Sequence, residues 1–417
     1  MTMTLSEELT WRGFVNQTTY KDLTEIDKNR ITFYFGVDPS ADSMQIGNLA
    51  AALMVRHFID RGHKAILLVG GATGMIGDPD GKKQERDLNT LEEIARNKKA
   101  IAEQYRTIFA GQDVEIVDNY DWFKSINYLE FLRDVGKHVP MRQMLGRDFV
   151  QSRLSEDGAG ISYAEFSYSL IQGYDFLHLY RTKGVTLQVS GADQWGNSIA
   201  GVDLIRRIDG GEVHVWTTPL VINKSTGIKF GKTEGGAIWL DRNKTSIFKF
   251  YQFWLNLDDK GVIDYLKVFT LLPRDEIEDI ARRFDEDKGS RLAQRILAYE
   301  VTKLVHGQEA ADEQVRLAEV LFGGTKISLT RSEFEALASE FAVANVSGSI
   351  AETDVVAALV DVGLASSKSE ARRFVQTGAV YINNQQLHLE DGEMFDLSDE
   401  YAIIRRGKNT TALLKRN

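Results

Sequence analysis

The sequence predicts an α/β protein whose first half is built on a parallel sheet, followed by a helical domain and a small α+β unit. Three observations carry this. Short apolar runs alternate with helical patterns in the first half, the order expected of βαβ units. From residue 246 to about 321, apolar residues recur at three- and four-residue spacing, as in IFKFYQFWLNL and LAQRILAYEVTKLVHG. After residue 351 a short capped helix precedes the strand-like AVYINN.

Taken in order, ITFYFGVD reads as a buried strand, residues 49–60 as a helix, KAILLVGG as a second strand and residues 89–110 as a charged helix. VTLQVSGAD is a further buried strand ending at a turn. In open α/β sheets ligands sit beyond the carboxyl ends of the strands, so the turns after Gly36, Val69 and Val189 are where a site is expected. Residues 322–350 are weakly periodic and mix Gly, Ser and Thr, which predicts a linker. The expected division is 1–222, 223–321, a linker over 322–350, and 351–417.

Composition narrows the class. At 417 residues the chain exceeds what one core usually organises. Lys and Arg number 50 against 60 Asp and Glu, a net charge of −10, so any RNA contact must use local basic patches. The absence of cysteine excludes disulfides and thiolate chemistry. No stretch approaches the about 18 apolar residues of a membrane span, and MTMTLSEELTWRGF lacks a signal pattern, so a soluble, cytoplasmic protein is expected.

Three loops carry candidate chemistry. GGATGMIGDP, residues 70–79, lets backbone N–H groups approach a ligand, although its glycine spacing misses the dinucleotide fingerprint and falls one residue short of a P-loop. KFGKT, residues 229–233, is also one short, and its two lysines suit developing negative charge on a polyphosphate. The run from Asp38 to Asn48 leads from a strand end through Pro39 into a helix start, where free N–H groups favour an anion. Ser40, Gln45 and Asn48 add neutral donors there. Within FSYSLIQGYDF, Tyr168, Gln172 and Asp175 fall at i, i+4 and i+7 and share one helix face.

The C-terminal unit has a capping pattern at Ser367-Lys368-Ser369-Glu370, an apolar stripe at Ala371, Phe374 and Val375, and a stop at Gly378. Lys368, Arg372 and Arg373 fall on its wet side, and residues 401–417 hold five basic and no acidic residues. RNA backbone contact follows from the two together.

The three loops, in this order, resemble the paired signatures of class I aminoacyl-tRNA synthetases, with QIGN for HIGH and KFGKT for KMSKS. GGATGMIGDP, NYDW, FLRDVGKH, FSYSLIQGYDF, GADQWGN and RLAQRILAYEVTKLVHG are similar to the bacterial-type tyrosyl-tRNA synthetases. The resemblance implies a Rossmann-type catalytic domain, an α-helical domain and a small α+β RNA-binding domain. It also implies formation of tyrosyl-adenylate from L-tyrosine and ATP with Mg2+, then transfer to the 3′ end of tRNA(Tyr), by a homodimer with no tightly bound protein-ligated metal. Carried over, Tyr34 and Asp175 resemble the pair that holds the phenolic hydroxyl, and Tyr168, Gln172 and Asp78 the ligands of the α-amino group, with Gln194 nearby. Asp193 with Gly191 resembles the ribose contact, and Asp38 and Gly47 belong to the ATP side. Ser40, Gln45 and Asn48 take the first-signature roles. Lys82, Arg86, Lys229, Lys232 and Thr233 resemble the groups that neutralise pyrophosphate, and Arg405, Arg406 and Lys408 join the helix cations toward RNA. Two departures stand out: Gln45 occupies the first histidine place of the signature, and Phe35 precedes Gly36 where a polar ribose contact is sometimes found. The competing readings are a synthetase-like RNA-binding protein with weakened catalysis, an ATPase or phosphotransferase, and a nicotinamide-dependent oxidoreductase.

Overall fold

A computed structural model describes residues 3–79, 89–155, 157–230, 232–233, 236–322, 329–347, 349–387, 394–397, 399–407 and 410–417. These form two units, one of residues 1–246 with 252–305, the other of 247–251 with 306–417.

The first unit is organised by a six-stranded sheet of β1 (Gln17–Thr18), β2 (Thr32–Val37), β3 (Lys64–Val69), β4 (Val114–Asp118), β5 (Val185–Gly191) and β6 (His214–Thr218), in the order β1-β6-β5-β2-β3-β4. All neighbours run parallel except β1 on β6. Helices cover both faces, which explains why β2 and β3 are continuously apolar rather than alternating. Phe33 and Phe35 point toward α1 (Ile46–Asp60) and α2 (Leu91–Ile108), meeting Phe58 and Tyr105 at ring distances of 5.2 and 6.2 Å. Tyr34 points the other way, onto α3 (Tyr163–Lys183), where Phe176 lies 5.4 Å from it. α4 (Trp195–Asp209) packs beside α3 so closely that a Cβ on Gly201 would come within 2.9 Å of Phe176. The sheet winds one way from β2 through β3 to β4 and the other way through β5 to β6, so the switch point lies between β2 and β5.

Two helices differ in their bounds from the sequence expectation. α1 begins at Ile46 rather than 49, because Gln45 is extended and its N–H donates to Asn48 Oδ1 at 3.0 Å, which folds the signature residues into the first turn. α2 covers Leu91–Ile108, opened by a full Thr90/Glu93 capping box. Beyond the sheet, the backbone of β7 (Lys232–Thr233) pairs antiparallel with β8 (Gly236–Ala237), and helices follow at Val262–Phe269, Arg274–Glu286 and Leu292–His306.

The second unit is a five-stranded sheet with helices on both faces. Its strands are β9 (Val343–Val346), β11 (Val380–Ile382), β12 (Gln385–Gln386), β14 (Tyr401–Arg406) and β15 (Thr410–Arg416), ordered β12-β11-β14-β15-β9. A separate pair joins β10 (Ser349–Ala351) to β13 (Met394–Asp396). Alternate residues of β14 serve opposite cores. Ala402 and Ile404 meet α7 (Glu352–Asp361) and α8 (Lys368–Gln376), while Tyr401 and Ile403 meet α5 (Gln308–Phe322) and α6 (Arg331–Ala338). Much of segment 322–350, expected as a linker, is thus part of this unit: α6 has its own capping box at Thr330 and Glu333, and β9 runs parallel to β15. On α8 the capping pattern is half formed, since Ser367 accepts from Glu370 N–H, whereas the Glu370 carboxylate accepts from Ser366.

Candidate active site

A cleft of about 530 Å³ opens at the switch point, lined by the ends of β2 and β5, the start of α1, the glycine loop after β3 and one face of α3. Residues of all three candidate loops line it, Lys229 and Phe230 being those of KFGKT.

Its deep end is built around Asp175, which projects from α3 and is 2% exposed. Trp122 Nε1–H donates to one carboxylate oxygen at 2.9 Å and Asn119 Nδ2–H to the other at 3.0 Å. Burial pushes the Asp175 carboxyl up from 3.8 to about 8, against the two hydrogen bonds, with Asp38 and Asp118 adding like charge. Tyr34 reaches the same end from β2. Its hydroxyl is buried without a hydrogen-bond partner among the described residues, and burial holds it well above its ordinary range. Gln188 on β5, also lining the cleft, has a buried Oε1 with no hydrogen-bond partner among the described residues. Unpaired buried polar atoms are costly and call for a ligand that completes them.

The middle of the cleft holds two carboxylates, Asp38 and Asp78, each with its own hydrogen-bond partners. Tyr168 Oη donates to Asp38 Oδ2 at 2.6 Å and Thr73 Oγ1 to Asp38 Oδ1 at 2.6 Å. Gln194 Nε2–H donates to Asp78 Oδ2 at 2.5 Å, and Asn197 Nδ2–H bridges to Gln194 Oε1 at 3.2 Å. Gln172 lines the same wall. Facing carboxylates and neutral amides suit an ammonium group.

The outer part is lined by Ser40, Gln45, Gly47 and Asn48 around the α1 N-terminus, with Gly191, Asp193 and Lys229 opposite. Lys229 Nζ and Asp193 Oδ2 are 3.9 Å apart and both are well exposed. A Cβ on Gly191 would lie 2.7 Å from Asp193 Oδ1 and would displace that carboxylate. Phe35 is 3% exposed and packs on Tyr105, consistent with its apolar character. Helix N-terminus, glycine turn and exposed cation together suit a polyphosphate.

Lys82, Arg86 and Lys408 lie outside the described residues, as do the side chains of Lys232 and Thr233. Asn119, Trp122, Thr73, Gln188 and Asn197 are site residues that no spacing in the sequence singles out, although NYDW, GGATGMIGDP and GADQWGN contain four of them. In the second unit Lys368, Arg372 and Arg373 are exposed on α8. Arg405 and Arg406 are engaged within that unit instead. Arg405 donates to Leu321 O at 2.7 Å and to Asn384 Oδ1, and Arg406 donates to Leu364 O at 2.8 Å.

Residues 27–323 match the family described as tRNA synthetases class I (W and Y), and residues 333–414 match the tyrosine–tRNA ligase SYY-like C-terminal domain. The tyrosine–tRNA ligase of Geobacillus kaustophilus is 45% identical over 99% of this chain and 100% of its own length. That of Geobacillus stearothermophilus is 44% identical over the same shares. Among solved structures, a C-terminally truncated mitochondrial tyrosyl-tRNA synthetase from Aspergillus nidulans superposes with a TM-score of 0.70 at 31% identity, covering 77% of this chain and 95% of that one.

Proposed function

The chain belongs to the class I tRNA synthetases of the tyrosine and tryptophan group, as a tyrosine–tRNA ligase, and from that premise we propose how its cleft divides the work. The enzyme activates L-tyrosine with ATP and transfers the tyrosyl group to the 3′ end of tRNA(Tyr). The tyrosine carboxylate attacks the α-phosphorus, the bond to the bridging oxygen breaks, and pyrophosphate leaves with the developing charge.

The observation that carries the site assignment is the buried, unpartnered Tyr34 hydroxyl beside the buried Asp175 carboxyl. A phenolic hydroxyl gives Tyr34 its partner and meets Asp175, whereas phenylalanine leaves the Tyr34 hydroxyl buried and unpaired, and this choice is itself the standard illustration of such rejection. The α-amino group is assigned to Tyr168, Gln172 and Asp78, supported by Gln194. Asp38, through its bonds to Tyr168 and Thr73, joins that wall to the ATP side. Asp193 and Gly191 take the ribose. Ser40, Gln45, Gly47, Asn48 and Lys229, with Lys82, Arg86, Lys232 and Thr233, take the phosphates, and Mg2+ enters with the ATP.

The exposed cations Lys368, Arg372 and Arg373 are proposed to contact the tRNA backbone, with Lys408; Arg405 and Arg406 contribute by bracing the unit. A homodimer is proposed on the exposed apolar residues clustered over 128–163, among them Leu129 at 72% and Tyr163 at 63% exposure. No helix among the described residues is long and apolar enough to cross a membrane, and a cytoplasmic location is proposed.

Tyrosine-dependent exchange of labelled pyrophosphate into ATP, followed by tRNA charging, tests the reading. Exchange absent at saturating tyrosine overturns it.

A further inference from the structure

We propose that His178 is a positioning residue for recognition of the phenolic hydroxyl, acting by stacking on Trp122; this rests on the tyrosine reading above. The two donors that hold Asp175 are anchored differently. Asn119 is pinned on several sides, since its Oδ1 accepts from Ala72 N–H at 2.6 Å and its Nδ2 also reaches Thr73 Oγ1 at 3.1 Å. Trp122 sits on the four-residue helix Tyr120–Phe123, too short to fix a large ring by itself, and it is only partly buried.

What orients its indole is a ring from the opposite element. The His178 imidazole lies 4.5 Å from the Trp122 ring, centroid to centroid, at an interplanar angle of 15°, a stacked pair. His178 is one turn beyond Asp175 on α3. The same helix therefore carries the acceptor and the plate that aims its donor, so indole N–H and carboxylate are held in register by one rigid element. Tyr174, also on α3, extends the arrangement, lying 6.3 Å from His178 and 5.4 Å from Phe123. Burial and the charge of Lys183 favour the neutral imidazole, which stacks as an aromatic plate rather than as a cation.

If the Trp122 ring tilts, Asp175 keeps Asn119 but loses its second donor, and the group that meets the phenolic hydroxyl is left less well placed. Nothing at the phosphate end changes. The effect is thus confined to the hydroxyl, present equally in bound substrate and in the transition state, and it raises KM for tyrosine while leaving kcat in place.

The test uses the full chain as His178→Ala and His178→Phe, assayed by pyrophosphate exchange. For His178→Ala the expected result is a tyrosine KM raised about two- to tenfold, the range of one aromatic pair. The KM for ATP, kcat and the inhibition constant of phenylalanine against tyrosine should be unchanged. His178→Phe, which keeps a flat ring, should restore the parental tyrosine KM. The proposal is overturned if His178→Ala keeps the parental tyrosine KM, if it weakens phenylalanine as much as tyrosine, or if His178→Phe fails to rescue. A parent chain without tyrosine-dependent exchange would instead sink the tyrosine reading itself.

Discussion

Tyr168 and Asp38 are joined by a 2.6 Å hydrogen bond that ties the second turn of α3 to the end of β2. The second Asp38 oxygen is held by Thr73 from the glycine loop, so one carboxylate fastens three elements of the cleft. Tyr168→Phe removes one donor from it and keeps the ring. Loss of a hydrogen bond to a charged group costs about 1.5–3 kcal/mol. The expected outcome is a tyrosine KM about tenfold higher or more with a modest fall in melting temperature. A variant that binds tyrosine as the parent does would show Tyr168 to be a packing residue.

Gly70 shares the same crowded corner. A Cβ there would lie 2.2 Å from Asp38 Oδ1 and 2.3 Å from Thr73 Oγ1. Gly70→Ala must therefore push both groups aside, and activation should fall more steeply than in Tyr168→Phe. The comparison of single-turnover adenylate formation in the two variants checks the order; equal rates would mean that the corner yields without affecting Asp38.

Asp175 gives stability an unusual pH dependence. Its carboxyl is raised from 3.8 to about 8 by burial, the opposite of a salt-bridged aspartate. Below pH 4 it is protonated both folded and unfolded, and its titration costs nothing. Between pH 4 and 8 the folded protein holds a proton that the unfolded chain has released, so its contribution to stability falls as pH rises. Above pH 8 it is ionised in both states, and the loss is complete, on the order of 6 kcal/mol. Asp175→Asn does not titrate. Its melting temperature should gain on the parent's between pH 4.5 and 8, while its preference for tyrosine over phenylalanine shrinks. Parallel curves would mean that Asp175 stays ionised throughout.

Sequence and structure part company at identifiable places. The central strands were legible because β2 and β3 are buried on both faces and read as nearly unbroken apolar runs, while β5 sets Val185, Leu187 and Val189 at alternate positions. The cleft followed, because turns at their carboxyl ends gather Asp38, Gly70 and Gly191. Asn119 and Trp122 were not legible as pocket residues, since a four-residue helix has no periodicity to reveal which side chains face inward. Arg405 and Arg406 read as surface cations because a charge count cannot see Leu321 O or Leu364 O, both distant in sequence. The segment after 322 hid a helix whose start signal, Thr330-Arg331-Ser332-Glu333, was present but followed by little apolar repetition.

That segment changes how a truncation should be made. Ending the chain at 350 removes β14 and β15, and with them the cover of Leu317, Val320, Leu321, Phe334 and Leu337. Each buried side chain of this kind is worth about 1.5–3 kcal/mol. The shortened chain should aggregate, whereas one ended at 305, which removes these residues as well, should keep tyrosine-dependent exchange and lose tRNA charging. Light scattering and both assays decide it. A chain ended at 350 that is monodisperse and as stable as the parent would mean that α5 and α6 do not depend on the sheet.

Gln45 stands where the family signature begins with histidine, and its surroundings separate its backbone from its side chain. The backbone is fixed on both sides. Its N–H donates to Asn48 Oδ1, Ile46 N–H donates to Ile238 O at 3.2 Å, and Leu240 N–H donates to Met44 O at 2.9 Å. Just upstream, Gln104 accepts from Met44 N–H at 2.7 Å and donates to Ser43 Oγ at 2.8 Å. Gln45 also lines the end of the cleft proposed above to take the phosphates. Replacing it should therefore leave the turn intact and report on chemistry alone. A neutral amide donor aimed at phosphate oxygens gains strength as charge moves onto the leaving pyrophosphate, and losing one such contact costs about 3–4 kcal/mol of activation. Gln45→Ala should slow adenylate formation on the order of a hundredfold or more, with little change in KM for tyrosine or ATP. Gln45→Glu, which brings negative charge toward the phosphates, should be slower still, and Gln45→His should match or exceed the parent. Pre-steady-state measurement of tyrosyl-adenylate formation separates these outcomes: an alanine variant as fast as the parent would make Gln45 a helix-start residue only and shift the phosphate contacts to Ser40 and Lys229.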